Sequence, residues 1–331
     1  MWFTVFQFFC ANRVIHAVFF IMPALLMTAC SLHGHDNATV NPAHFSTANL
    51  VLQIQGLRPC SSSTDSDLHI DSTSPVVVLT HGCLDSAARF TALAEVFAFQ
   101  GQQAICFTYD DRDSLFKSAS QLSESLRQLN KHLQDKHITL IAHSQGGLIA
   151  RKALTGQHAT QQWQKTATEI DLVTISAPFS GVKEASHCAS GKWRAISLGL
   201  VDAICWMISG DKWYEITDVS DFIQNPGTLL PQVAHYLKLD TDERGTCRSF
   251  GPNNKCLESD YVFGLDEQQL PPGNGHADEN YVLVQAGHTE IVGDFQTPPH
   301  KLISILQQEG IMKPTRPEKL AAMNMLLSRL Y

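Results

Sequence analysis

A chain of 331 residues, 44% hydrophobic and 17% charged, can bury one sizeable α/β core. Its formal net charge of −8, with no basic run, excludes nucleic acid as a partner class, because phosphates would be repelled. The same balance leaves a neutral substrate open.

The first stretch reads as an export signal. Residues 1–9 are aromatic and apolar, Arg13 is the only Lys or Arg before Arg58, and an apolar run ends at Met27-Thr28-Ala29-Cys30. A positive residue, an apolar segment and small residues before a cut describe a secretory signal over residues 1–30. The Thr-Ala-Cys ending resembles a bacterial lipobox, which implies lipidation at Cys30, a membrane contact through that anchor, and an outer-membrane, periplasmic or cell-surface location, or otherwise secretion. An uncleaved anchor is the alternative, and it too leaves the rest outside the cytoplasm. Residues 31–74, rich in Ser, Thr, Asp and His, read mostly as a tether, with an added edge strand pair as the other possibility.

From residue 75 the pattern alternates. Pro75-Val76-Val77-Val78-Leu79-Thr80 reads as a buried parallel strand ending at His81-Gly82-Cys83, followed by a helix over 87–100 and a strand over 104–109. A second helix over 118–135 carries Leu122, Leu126, Leu129 and Leu133 at helical spacing. The order predicts a doubly wound, mostly parallel sheet flanked by helices, with functional loops on one edge.

Residues 138–151, I-T-L-I-A-H-S-Q-G-G-L-I-A-R, are the most informative part of the chain. A short apolar strand enters a turn of small residues carrying Ser144 and then a helix, the pattern that lifts a serine hydroxyl above a sheet edge. Ala142 and Gly146 are the small neighbours, and the helix N-terminus behind the hydroxyl favours developing negative charge. Ser144 is the candidate nucleophile. The backbone N–H groups of Cys83 and Gln145 are the candidate oxyanion hole, since both would be fixed before charge develops.

A serine needs a base. Of fifteen histidines, His288 follows the strand over 281–285 and precedes a helix starting near His300, so it reaches the same sheet edge; His276 is the alternative, and His143 is expected to point away. A carboxylate must then hold the imidazole. Asp266 and Glu267, after a strand-like run from Tyr261, stand between Ser144 and His288 in the order this arrangement needs, with Asp218 and Asp221 as more distant choices.

These segments resemble the α/β-hydrolases of the bacterial triacylglycerol lipase and esterase type. The likeness rests on Thr80-His81-Gly82, on A-H-S-Q-G-G-L-I-A-R from Ala142, and on T-I-S-A-P-F-S-G from Thr174. Residues 218–230 are similar to a segment that often precedes the acid strand, which argues against Asp218. The family's G-x-x-D-x-x-V-P laid on G-L-D-E-Q-Q-L-P selects Glu267 over Asp266. Within a catalytic domain over 75–310, residues about 182–260 depart from strand–helix alternation, and the apolar run 196–208 with Trp193, Trp206, Trp213 and Tyr214 nearby suits a cap or lid, with a helix packed into the domain as the alternative. Leu320, Met323, Leu326, Leu327 and Leu330 mark a helical tail over 311–331. The resemblance implies a serine carboxylic-ester hydrolase acting on acyl esters or lipids through an acyl-enzyme, with acyltransferase or phospholipase action and a noncatalytic envelope protein as alternatives. No cofactor, metal or obligate protein partner is implied.

Nine cysteines, two of them in the signal, leave seven in the body. Cys247 and Cys256 flank a Gly-Pro-Asn-Asn turn and are the first expected disulfide, with Cys188 and Cys205 as a clamp on the insertion. No Cys-x-x-Cys or metal-like Cys/His spacing occurs.

Overall fold

The computed structural model describes residues 49–331, apart from 65, 84, 157–166, 186–204, 208, 272–278 and 295–296. The expected signal and lipidation site therefore lie outside the described residues. So do His276, Cys188 and most of the apolar stretch of the insertion.

In chain order the elements are β1 (Asn49–Leu52), β2 (Leu57–Arg58), β3 (Leu68–Asp71), β4 (Val76–Thr80), α1 (Thr91–Phe99), β5 (Gln103–Phe107) and α2 (Leu115–His132). They continue with β6 (His137–His143), α3 (Gln145–Ala153), β7 (Glu169–Ile175), α4 (Asp221–Gln224), β8 (Val233–Asp242), β9 (Cys247–Phe250) and β10 (Cys256–Ser259). The last are α5 (Leu265–Gln268), β11 (Glu279–Gln285), α6 (His300–Gln308) and α7 (Leu320–Leu330).

Seven strands form the main sheet in the order β11-β8-β7-β6-β4-β5-β2. All neighbours are parallel except β2, which closes one edge antiparallel to β5. The expected fold class is the one observed.

The core sits on both faces, and β4 shows why its sequence is apolar without a break. Val76 and Val78 pack into the layer built by Leu122, Leu126 and Leu129 of α2 and Leu148 of α3. Val77 and Leu79 face the opposite layer, with Leu93 of α1, Leu302 of α6 and Leu327 of α7. A strand covered on both sides loses the alternation that would mark a half-exposed one.

Helix boundaries follow their caps. Ser114 accepts the N–H of Lys117 at 3.4 Å, so α2 starts three residues ahead of the helix expected at 118. The helix expected at 87 begins as a single 3-10 turn over Ala87–Phe90 before α1 takes over. The tail helix α7 buries Met323 and Leu327 against the body.

From residue 49 onward the edge-segment alternative to a tether is the one observed: β1 and β3 pair with each other, β2 joins the edge of the sheet, and Cys60 is disulfide-bonded to Cys106. One expectation about organisation is corrected. The expected insertion over about 182–260 contains β8, a strand of the central sheet between β7 and β11. It escapes a hydropathy reading because Val233–Asp242 carries Lys238 and Asp240, which are buried and paired with each other. A buried charge is tolerated when its partner is in contact, and here both come from one strand. The Cys247–Cys256 disulfide closes the β9–β10 hairpin as expected. Among the described residues no helix is long and apolar enough to cross a membrane.

Candidate active site

The parallel register brings five strand ends to one edge. Thr80 is level with Ala142, Ala142 with Thr174, Ile175 with Leu239, and Gln285 with Asp242. The loops leaving β4, β6, β8 and β11 therefore open on the same edge, and they carry Cys83, Ser144, Glu243 and His288.

Ser144 links β6 to α3 at φ 56° and ψ −127°, a conformation that an L-residue holds only when its surroundings fix it. Its N–H donates to the carbonyl of Ile175 at 2.8 Å. The neighbouring glycines are there for space. A Cβ on Gly146 would lie 2.4 Å from the His81 carbonyl oxygen and 2.8 Å from that of Thr80, and one on Gly147 would meet the Ala177 methyl at 2.6 Å. The loop after β4 comes equally close, since a Cβ on Gly82 would stand 3.0 Å from the Cβ of Ser144. The Tyr109 hydroxyl donates to the His81 carbonyl at 2.9 Å and its ring stacks on His81 at 4.5 Å, which holds that loop in place.

His288 is 7% exposed, in the loop after β11. Asp260 shapes the loop: its carbonyl accepts the His288 N–H at 3.0 Å, and its carboxylate accepts the N–H groups of Thr289 and Glu290. Gly287 is required beneath it, because a Cβ there would fall 2.0 Å from an Asp260 oxygen. The Phe263 ring meets the imidazole edge-on at 4.9 Å. His143 does not simply turn away, as the sequence suggests. Its Nε2–H donates to the His288 carbonyl at 3.0 Å, and the two rings lie 4.6 Å apart. The residue next to Ser144 thus ties the serine turn to the histidine loop. Burial, above all, holds the pKa of His143 well below the usual imidazole value, so the ring stays neutral.

The partner of His288 is a residue that the sequence analysis does not single out. Its Nδ1 is 2.9 Å from Oε1 of Glu243, the residue following β8, and that carboxylate is completely buried. Oε1 also accepts the Thr241 hydroxyl at 3.0 Å, while Oε2 accepts the N–H groups of Val262 at 2.5 Å and Phe263 at 2.9 Å. Four donors fix the carboxylate, and an Nδ1–H directed at it leaves Nε2 of His288 as the basic nitrogen.

The acids expected at 266 and 267 are corrected accordingly. Asp266 is exposed and pairs with the ammonium of Lys183, which keeps its carboxyl below the usual range. Glu267 accepts the N–H groups of Lys183 and Gly264, both at 2.8 Å, and burial raises its pKa. The run from Tyr261 is not a strand either, and α5 follows it. Adjacent to Gly264, the two acids organise a turn and hold the start of the insertion, and neither has a hydrogen bond to His288 among the described contacts. Asp221 opens α4, where its carboxylate accepts from the Asn225 side chain at 2.7 Å, and Asp218 lies just before that helix.

The two expected oxyanion residues are joined through their side chains by a buried lysine. Lys212, in the 3-10 turn Gly210–Trp213, has a side chain only 2% exposed. Its ammonium donates to Oε1 of Gln145 at 2.6 Å, to Sγ of Cys83 at 3.2 Å and to the carbonyl of Asp111. Gln145 also donates to the Asp111 carbonyl, at 3.1 Å. Gly210, at φ +75°, lets the turn press on the loop after β5, because a Cβ there would sit 2.2 Å from the Arg112 carbonyl oxygen. Lys212 could not be picked out of the sequence, since its role exists only once the insertion folds back on β4 and α3.

Comparison with known proteins follows the same core. Residues 75–237 match the family model described as palmitoyl protein thioesterase. Comparison with curated proteins returns no match. Among solved structures, the mature lipase BlEst2 of Bacillus licheniformis is similar at 15% identity and a TM-score of 0.44, over 76% of this chain and 96% of its own. Esterase B from Lactobacillus rhamnosis is similar at 13% identity and 0.45, over 84% and 88%. The Pyrococcus furiosus esterase Pf2001 is similar at 15% and 0.43, over 78% and 88%. No residue role is carried over from them. Residues 75–237, just under half of the chain, are thus similar to the palmitoyl protein thioesterases, and they lie within a doubly wound, mostly parallel sheet flanked by helices.

Proposed function

We propose that the protein hydrolyses carboxylic esters of acyl chains through an acyl-enzyme on Ser144. The observation that carries this reading is the 2.9 Å contact between His288 Nδ1 and the buried Glu243, on the sheet edge where Ser144 sits in its strained turn. Ser144 Oγ attacks the carbonyl carbon while Nε2 of His288 takes its proton. Glu243 stabilises the imidazolium, and the N–H groups of Cys83 and Gln145 receive the oxyanion. The imidazolium returns the proton to the departing alcohol, leaving Ser144 acylated. Water then attacks the acyl-enzyme carbonyl and gives a proton to His288, which passes it to Ser144 Oγ as the acyl–oxygen bond breaks and the acid leaves.

A thioester linkage is the second reading, favoured by the family match over 75–237. The chemistry is the same with a thiol as leaving group. Export, with lipidation at Cys30 as its route, stays part of the proposal; disulfides at Cys60–Cys106 and Cys247–Cys256 support an oxidising compartment.

The test is turnover of p-nitrophenyl esters of graded chain length, triglycerides, phospholipids and S-acyl thioesters, each with an added alcohol acceptor. Hydrolysis of esters that is lost in Ser144→Ala supports the proposal. Acyl transfer in preference to hydrolysis, or turnover unchanged in Ser144→Ala, refutes it.

A further inference from the structure

The opposite edge of the sheet carries a second cluster of polar side chains that catalysis does not use. His137 opens β6, Glu169 and Asp171 open β7, and His235 is near the start of β8. The register sets His137 level with Glu169 and Asp171 level with His235. One oxygen each from Glu169 and Asp171 and one ring nitrogen of His235 all lie within 4.8 Å of one another. The residues come from separate strands, so no local spacing announces them. Ser144 is at the other end of β6, about 20 Å away at the usual rise per strand residue.

Asp171 is the second, independent observation. It is 7% exposed, and its Oδ2 accepts Nε2–H of His137 at 2.7 Å. Its Oδ1 is buried without any hydrogen-bond partner in the protein. A buried carboxylate oxygen without a donor is costly, and it is commonly satisfied by an ion or an ordered water.

We infer that Glu169, Asp171 and His235 form a binding site for a divalent transition-metal ion, of which Zn²⁺ is the best match. One imidazole and two carboxylates suit zinc, with water completing a tetrahedron, whereas calcium and magnesium favour oxygen ligands alone. His137, donating to Oδ2 of Asp171, would orient that carboxylate as outer-shell partners of metal ligands do. The ion would clamp β7 to β8 at the end remote from Ser144, so its role is structural. The inference stands whether or not Ser144 is the nucleophile.

Calorimetric titration of ZnCl₂ into tag-free, chelator-dialysed protein at pH 7.5 tests it, together with the melting temperature. His235→Ala and Glu169→Gln, both at exposed positions, serve as variants that leave the fold intact. The expected result is one equivalent bound and a melting temperature raised by about 3 °C or more at a hundredfold excess over Kd. Both variants should lose at least about tenfold in affinity while melting like the wild type without zinc. No binding would overturn the inference, leaving a water at Oδ1. Binding equally tight in both variants would overturn it too, by putting the ion elsewhere.

Discussion

Replacing Glu243 by glutamine isolates the charge on which the proposed chemistry depends. The amide is nearly isosteric, and its oxygen can still accept from Val262 and Phe263. Its NH2 group must then face Nδ1 of His288, where the carboxylate oxygen stands 2.9 Å away. A donor there selects the tautomer with its proton on Nε2, which cannot accept hydrogen from serine. The imidazolium also loses its counter-charge. At 2.9 Å and an effective dielectric constant of about 20, that attraction is about 5 to 6 kcal/mol, or about four decades of rate. We expect kcat to fall about 10³- to 10⁴-fold on a p-nitrophenyl ester, with KM within about threefold. Thermal melts would check that the Val262–Phe263 segment keeps its place. Glu267→Gln and Asp266→Asn should cost no more than a few-fold, because their partners are Lys183 and Gly264. Full activity in Glu243→Gln with a hundredfold loss in Glu267→Gln would refute the reasoning and return the acid to the turn at 266–267.

Other outcomes follow from the same contacts. Lys212→Met removes the link between Cys83 and Gln145, and kcat should drop about 10- to 100-fold with KM nearly unchanged, less than the loss of an oxyanion donor itself; steady-state kinetics showing an unchanged kcat would count against that positioning role. Gly146→Ala forces a methyl 2.4 Å from a backbone oxygen, and urea melts should show about 2 to 4 kcal/mol of lost stability, where a change under about 0.5 kcal/mol would contradict the packing. His143 has a depressed folded pKa, so below the usual value of 6.5 the unfolded chain binds a proton that the fold rejects, and stability falls with acidification. His143→Gln removes that proton, and the pH slope of stability between about pH 6 and 5 should become shallower by up to about 1.4 kcal/mol per unit; parallel slopes would refute it.

What the sequence made legible is what short-range physics encodes. Val76 to Thr80 is apolar on both faces because helices cover both, and the crowding around Ser144 demands Gly146 and Gly147 within the next three residues. Leu122, Leu126 and Leu129 announce α2 by their spacing alone. The carboxylate partner of His288 was not legible for two separate reasons. The strand that delivers Glu243 carries Lys238 and Asp240, paired with each other, so it does not read as a buried strand and falls within the expected insertion. The contact itself spans 45 residues of sequence, with a disulfide-closed hairpin between its ends. At 264–271 the sequence offers glycine and acids at a familiar spacing, yet the backbone there turns into α5 and uses both carboxylates to hold Lys183. Lys212 and Asp171 are of the same kind: ordinary polar residues whose surroundings come from distant segments.

The central claim is that the Ser144 hydroxyl is activated by His288 and Glu243. Reaction of the full chain with a fluorophosphonate, followed by peptide mass spectrometry, tests it most directly. The account predicts one equivalent of phosphonylation at Ser144, absent in Ser144→Ala and slowed at least about a thousandfold in His288→Ala and Glu243→Gln. Labelling at another residue, or labelling of Ser144 at an undiminished rate in both of the last two variants, would contradict it.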